Sequence, residues 1–351
     1  MKNKKLLVTR YSLLVKKRNL LAFSAGIDSS ALFFLLLENG IPFDIALVNY
    51  GIREQSDKEE AYALELAEQY GLKAFTIKAP RWESHFESSA RKFRYDFFES
   101  LIDEHHYETL VTAHQLNDQL EWFLMRLTKG AGLSELIGLE PVSIRKTAGR
   151  NDYNLIRPLL DLSKEELLEY LKKNNRIYFV DESNSDMAFE RNHFRKKFSD
   201  PLLAEYHQGI KRSFGYLHQD KEMLQNGIEA IFEQDELRVY RLDNPELRAK
   251  AADLALKGLG YLLSASQRRE IKTKKSIVIG GKWAVVYQDH RLYIAPFLTI
   301  AMPKPFKELC RVSNLPIKIR PYCYEKGIRP AEVMAPNTII STQSALWETR
   351  D

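Results

Sequence analysis

The first 130 residues alternate short apolar runs with helix-patterned stretches, and this alternation is the tightest constraint on the fold. Residues 20–23 (Leu-Leu-Ala-Phe) form the kind of run a buried strand needs. Residues 28–39 are helical in pattern and are stopped by Gly40 and Pro42. A second strand is expected over 43–49. A helix follows from Ser56, with Glu59 three residues on in a capping-box pattern, and runs to Tyr70 and Gly71. A strand over 73–78, a helix over 83–105, a strand over 109–113 and a helix over 116–128 complete the series. Strand and helix in alternation imply right-handed crossovers and a parallel sheet covered on both faces. Ligands bind such sheets at the carboxyl ends of the strands.

Beyond residue 150 the rhythm changes. A helix is expected over 162–174 with Ser163 as its cap, then a polar loop over 181–195 leading into helix, then mainly helix over 202–257. Residues 277–279, a Gly280-Gly281 turn, 283–287 and 292–294 read as a small antiparallel sheet. The boundary is placed at Pro201. Residues 1–200 form an α/β domain and 201–351 a smaller, mainly helical α+β domain.

Composition removes whole classes. Hydrophobic residues are 44% and charged residues 28%, which is ordinary for a globular chain and excludes disorder as the main theme. The two cysteines, Cys310 and Cys323, cannot build a disulfide framework, and a reducing, cytoplasmic setting is expected. No apolar run approaches the roughly 20 residues a membrane span needs. Net charge is +5, and its placement is more informative: seven basic residues and no acid lie between Lys2 and Arg18. Arg268, Arg269, Lys272, Lys274 and Lys275 crowd a second stretch, offset by Glu270. Each cluster suits phosphates or, equally, a solvated surface.

The first strand delivers the chain into Ser24-Ala25-Gly26-Ile27-Asp28-Ser29-Ser30, a tight loop that opens a helix. A helix N-terminus exposes unpaired N–H groups and suits a phosphate. Gly26 lets the backbone approach closely, and the serines add hydrogen bonds. Asp28 would repel a phosphate unless a cation lies between them, which points to magnesium. The same Asp28 and Ser29 are also what a plain helix cap would contain. There is no G-x-x-x-x-G-K-[ST] and no G-x-G-x-x-G, so neither the usual NTPase loop nor a dinucleotide site is expected.

Residues 24–29 resemble the S-G-G-x-D-S signature of the PP-loop ATP pyrophosphatases, with Ala25 in place of the second-position Gly. Further stretches resemble the tRNA(Ile)-lysidine synthetase family. Val48-Asn49-Tyr50-Gly51-Ile52-Arg53 matches a V-N/D-H-G-L-R segment with Tyr50 for His, and Ala90-Arg91-Lys92-Phe93-Arg94-Tyr95 matches A-R-x-x-R-Y. Residues 113–122 match A-H-x-x-D-D-Q-x-E-T, with Asn117 for the first Asp and Trp122 for Thr. Then follow Arg157-Pro158-Leu159-Leu160, Asp181-Glu182-Ser183-Asn184 and Arg191-Asn192-His193-Phe194-Arg195. The resemblance covers about residues 20–200. It implies a PP-loop domain that binds ATP and splits it between the α- and β-phosphates.

The resemblance further implies a ligase. It adenylates the carbon-2 oxygen of the first anticodon cytidine in a tRNA-Ile with a CAU anticodon, and free lysine then displaces AMP to leave lysidine, changing decoding from Met to Ile. The expected ATP-binding residues are Ser24, Ala25, Gly26, Ile27, Asp28, Ser29, Arg94 and His114, with Asp28 also the magnesium residue. The expected catalytic residues are Asp28, Asp118 and Glu121; the last two share a helical face and suit the lysine ammonium. Arg91, Arg191 and Arg195 are expected to hold tRNA or lysine, since guanidinium suits phosphate and carboxylate. Arg91 also has an ion-pair reading with Glu87 at i, i+4. Trp122 reads as packing, and His85, His105 and His106 show no zinc-ligand spacing. Two alternatives remain: a PP-loop tRNA thiolase, which needs reactive cysteine or an iron–sulfur cluster, and an RNA-binding protein whose ATP site has decayed.

Overall fold

Strand β1 (Asn19–Ala22) lies at the centre of a six-stranded sheet, paired in parallel with β2 (Phe43–Asn49) on one side and β4 (Thr109–Val111) on the other. Leu21 sits in register with Ile45 and Val111. The computed structural model describes residues 13–51, 54–82, 86–180 and 190–335. The basic residues ahead of residue 13, Ile52, Arg53, His85 and the 181–184 stretch lie outside the described residues, as does the side chain of Glu87.

The remaining elements of this unit follow the sequence. Helix α1 (Ile27–Glu38), α2 (Glu54–Tyr70), β3 (Ala74–Lys78), α3 (Phe86–His105), α4 (Leu116–Leu127) and a short α5 (Leu133–Leu136) come first. Gly40 and Gly71 end their helices at φ +65° and +66°, a left-handed turn that only glycine adopts freely. Ser56, expected as a cap, is instead the third residue of α2, inside its first turn. A hairpin of β5 (Val142–Lys146) and β6 (Asp152–Ile156), not expected from the residue pattern, then closes the sheet. The strand order is β3-β2-β1-β4-β6-β5, parallel except for the β5 edge. Helix α6 (Lys164–Lys173) follows, capped by Ser163 with Glu166 reciprocating. Then come α7 (Glu190–Phe194), a π-helical turn (Arg195–Ser199) and α8 (Asp200–Asn226).

Period-two alternation sends side chains to two cores. Leu21, Ile45, Val111 and Ile156 face α1, α2 and α6, while Leu20, Ala46, Leu110 and Leu155 face α3. Both faces are therefore buried, as a parallel sheet requires.

The first compact unit runs to Leu217 and the second begins at His218. The boundary expected at Pro201 thus falls inside the first unit. The reason is packing: Leu203 and Phe214 of α8 are buried with Leu116, Leu120 and Ile137.

The second unit is α+β as expected, but the stretch over 202–257 is not helix throughout. Only α8 occupies the start of the 202–257 stretch; β7 (Ile228–Gln234) and β8 (Leu237–Leu242) follow, then α9 (Arg248–Gly258). Helix α10 (Ala265–Thr273), β9 (Ser276–Ile279), β10 (Trp283–Gln288) and β11 (Arg291–Pro296) come next, and α11 (Lys304–Val312), α12 (Arg320–Glu325) and α13 (Pro330–Met334) end the unit. The five strands form an antiparallel sheet in the order β7-β8-β11-β10-β9. Val285, Leu292 and Ile294 face α9 and α10, whereas Ala284, Val286, Tyr293 and Ala295 face α11–α13. Segment 228–234 (Ile-Glu-Ala-Ile-Phe-Glu-Gln) has helix-favouring residues, and cross-strand pairing with β8 overrides them. In the basic stretch of α10, Arg268 is engaged by Asp253 at 2.9 Å, and Lys274 pairs with Glu270 at 3.5 Å.

Candidate active site

The carboxyl ends of β1, β2 and β4 open into one cleft of about 870 Å³. Its floor is the 24–29 loop. Ser24 and Ser29 bond Oγ to Oγ at 3.0 Å, and the Ser24 N–H donates to Ser29 Oγ at 3.2 Å, which folds the loop back on the helix start. The left-handed residue here is Ala25 (φ +56°), while Gly26 is extended. A Cβ in that conformation costs about 1–2 kcal/mol. Ala25 is wholly buried and lies behind the cleft; its carbonyl accepts the Phe179 N–H at 2.9 Å, which anchors the loop.

Asp28, in the first turn of α1, is the most perturbed acid of the site. Burial, reinforced by the Asp118 carboxylate, raises its pKa to about 7; Lys164 and Arg195 pull the other way. Its Oδ1 is buried without a hydrogen-bond partner. An orphaned carboxylate oxygen beside a phosphate-suited loop fits a magnesium ion, which usually takes one or two carboxylates and completes its shell with phosphate and water. Among the described residues no group of three His, Cys, Asp or Glu could hold a metal by itself.

The β4 edge supplies the second wall. His114 bonds through Nδ1 to Thr112 Oγ1 at 3.0 Å. Burial holds its imidazole well below the usual range, so it is neutral near pH 7. Helix α4 is capped by Gln115, whose N–H donates to Asp118 Oδ2 at 3.0 Å. Burial would raise the Asp118 carboxyl, but Arg191 and the other charges outweigh it and hold it below the ordinary carboxylate value. Arg191 donates to Asp118 and, at 2.7 Å, to Glu121. Arg195 donates to Glu121 from Nε, and from Nη2 at 3.2 Å. Glu121 is 1% exposed and absent from the cleft lining; it holds both arginines from behind. Asp118, Arg191 and Arg195 do line the cleft.

Helix α3 supplies the third wall. The guanidinium of Arg91 stacks on the Tyr95 ring at 5.0 Å, and Arg145 covers that ring at 4.8 Å. Burial would raise the Tyr95 phenol, but Arg91, Arg145, Arg157 and Arg94 together hold it lower. Tyr50, where the resemblance has His, is raised by burial and hydrogen-bonded to Arg94.

Two departures from the family pattern are resolved locally. Asn117 donates to Asp200 Oδ1 at 3.0 Å and accepts the Lys164 N–H at 3.1 Å, so it ties α4 to α6 and α8. Trp122 donates to the Glu135 carbonyl at 2.7 Å and carries Arg126 on its ring, which is packing. Sequence reasoning missed Lys164 and Phe179 as lining residues. The signal for Lys164 was its place at the start of a capped helix just after Arg157-Pro158-Leu159-Leu160.

A parallel sheet with a serine-rich loop at the central strand and a cationic cleft at the strand ends defines a PP-loop protein, and a PP-loop domain family matches residues 2–202. The chain is 45% identical to a tRNA(Ile)-lysidine synthase of Campylobacter jejuni over 90% of this chain and 95% of that protein. It is 44% identical to that of Wolinella succinogenes, over 89% and 94%, and 39% identical to that of Helicobacter pylori, over 89% and 91%. The chain belongs to the tRNA(Ile)-lysidine synthase family.

Proposed function

We propose that the protein uses ATP to attach free lysine to carbon 2 of the first anticodon cytidine of a tRNA-Ile with a CAU anticodon. The observation that carries this reading is the Ser24–Ser29 loop with Asp28, set in a cleft lined by Arg91, Arg94, Lys164, Arg191 and Arg195. The loop N–H groups and the Ser24 and Ser29 hydroxyls receive the phosphates. Asp28 would hold magnesium, which would supply the positive charge that offsets carboxylate and phosphate in one site. The cytidine C2 oxygen attacks the α-phosphorus; a P–O bond forms, the bond to the β-phosphate oxygen breaks, and pyrophosphate leaves. The lysine amine then adds at carbon 2, releases AMP with the oxygen, and gives up a proton.

The roles of the side chains follow from their state. Neutral His114 is able to take part in a hydrogen bond at the strand edge, as a fixed polar group rather than a proton acceptor. Asp118, ionised and open to the cleft, is the acceptor for the lysine ammonium. Glu121, fully engaged, positions Arg191 and Arg195, which face RNA phosphate or the lysine carboxylate. The setting is cytoplasmic, where tRNA and ATP are at hand; among the described residues no helix is long and apolar enough to cross a membrane. The thiolase alternative is disfavoured by chemistry: Cys310 and Cys323 are both wholly buried, and burial pushes the Cys323 thiol up to about 12. The decayed-site alternative is disfavoured by the intact loop and its perturbed Asp28. The test is tRNA-dependent pyrophosphate release from ATP by the wild type and by Ser29→Ala. Release is expected from the wild type and loss of most of it in the variant; equal rates would remove the loop from the reaction.

A further inference from the structure

The cations lining the cleft are almost all engaged. Arg191 and Arg195 are tied to Asp118 and Glu121, Arg91 lies on Tyr95, Arg94 bonds Tyr50, and Lys196 has a partner. Lys164 is the exception. Among the described residues its ammonium closes no hydrogen bond and no ion pair, although it lines the cleft and is only partly exposed. Its backbone is nonetheless fixed, because its N–H donates to Asn117 Oδ1 at 3.1 Å and Ser163 caps the helix it starts. The acid it acts on at range is Asp28, with no ion pair formed between them. A positioned, unpaired ammonium among other cations is unfavourable until an anion arrives. The floor of the same cleft is the phosphate-suited loop.

We propose that Lys164 binds pyrophosphate: it holds the β- and γ-phosphates of bound ATP beside Asp28 and stabilises them as they leave. This rests on the ATP-dependent reading above. When the bond from the α-phosphorus breaks, its electron pair goes to the β-phosphate oxygen. Lys164 lines the cleft whose floor is the phosphate-suited loop, and its ammonium is the donor assigned to that growing charge. A lysine suits this role as a mobile point charge with three donors, where the stacked and paired arginines are held in place.

The test is titration of inorganic pyrophosphate, and separately of AMP, into the wild type, Lys164→Gln and Lys164→Arg in magnesium buffer. One charge-assisted hydrogen bond corresponds to about ten- to a hundredfold in affinity. Pyrophosphate binding is expected to weaken by that factor in Lys164→Gln and by less in Lys164→Arg, with AMP binding unchanged. Unchanged pyrophosphate affinity in Lys164→Gln overturns the proposal. So does a loss confined to tRNA affinity, which would assign the lysine to an RNA phosphate. Circular dichroism checks folding. Independently of any variant, pyrophosphate but not AMP should protect Lys164 of the wild type from amine acylation read by mass spectrometry, and equal labelling overturns the proposal. Failure of the wild type to release pyrophosphate from ATP and tRNA would instead defeat the functional reading on which it rests.

Discussion

The Asn117 side-chain amide donates to the Asp200 carboxylate at 3.0 Å, across 83 residues of sequence. An aspartate at 117, as the family pattern has it, would bring two carboxylates together here. Asn117→Asp is therefore expected to destabilise this protein by about 1–3 kcal/mol, the cost of losing a charge-assisted bond and facing like charges. Urea denaturation measures it. Adding Asp200→Asn should recover most of the loss, since the amide then donates in the opposite direction. A stable single variant would show that the bond contributes nothing.

Glu121 is the anchor of the arginine pair. Removing it by Glu121→Ala leaves two guanidiniums without their buried partner. Breaking such a pair costs about 3–5 kcal/mol, and the lower end is expected because the Arg191 side chain is 40% exposed and can turn to water. Glu121→Gln, which keeps two acceptor sites on one oxygen, should lose less. Equal stability of wild type and Glu121→Ala by urea denaturation would contradict the anchoring role.

The raised Asp28 carboxyl carries a pH signature with a defined sign. The unfolded value is 3.8 and the folded value about 7, so the native state binds this proton more tightly. Its contribution is fully present below about pH 4 and is lost as pH rises through 7. Asp28→Asn is neutral throughout. In EDTA it is expected to exceed the wild type in stability by on the order of 1–4 kcal/mol at pH 8, with the gap closing toward pH 4. Activity should be lost at every pH. Thermal unfolding across that range checks it, and parallel curves for the two proteins would contradict it.

Cys310 and Cys323 pack in the core of the second unit. Alanine, rather than serine, is the fitting replacement, because a hydroxyl there would be buried. The Cys310→Ala, Cys323→Ala double variant is expected to lose about 1–3 kcal/mol of stability and to keep its tRNA-modifying activity. Loss of activity in a folded double variant, seen by nucleoside mass analysis, would bring back sulfur transfer.

Legibility varied with how local each determinant is. The β1 loop, the helix stops at Gly40 and Gly71 and the strand-end location of His114 follow from short-range pattern and were readable. The β5–β6 hairpin and the β7–β8 pair depend on partners distant in sequence, and helix-favouring residues masked the latter. Asp118, Glu121, Arg191 and Arg195 were visible as site residues, but their pairing was not, because 70 to 74 residues separate Glu121 from the arginines. Lys164 is legible only as the start of a capped helix after Arg157-Pro158-Leu159-Leu160; that this helix begins near Asp28 is a long-range fact that local pattern does not carry.

The most direct measurement is incorporation of labelled lysine into purified tRNA-Ile bearing a CAU anticodon, with and without ATP, followed by nucleoside mass analysis. The expected result is ATP-dependent labelling of the first anticodon cytidine, accompanied by equal amounts of pyrophosphate and AMP. No labelling by an active, folded protein, or a thiolated nucleoside in place of the lysine adduct, would contradict it.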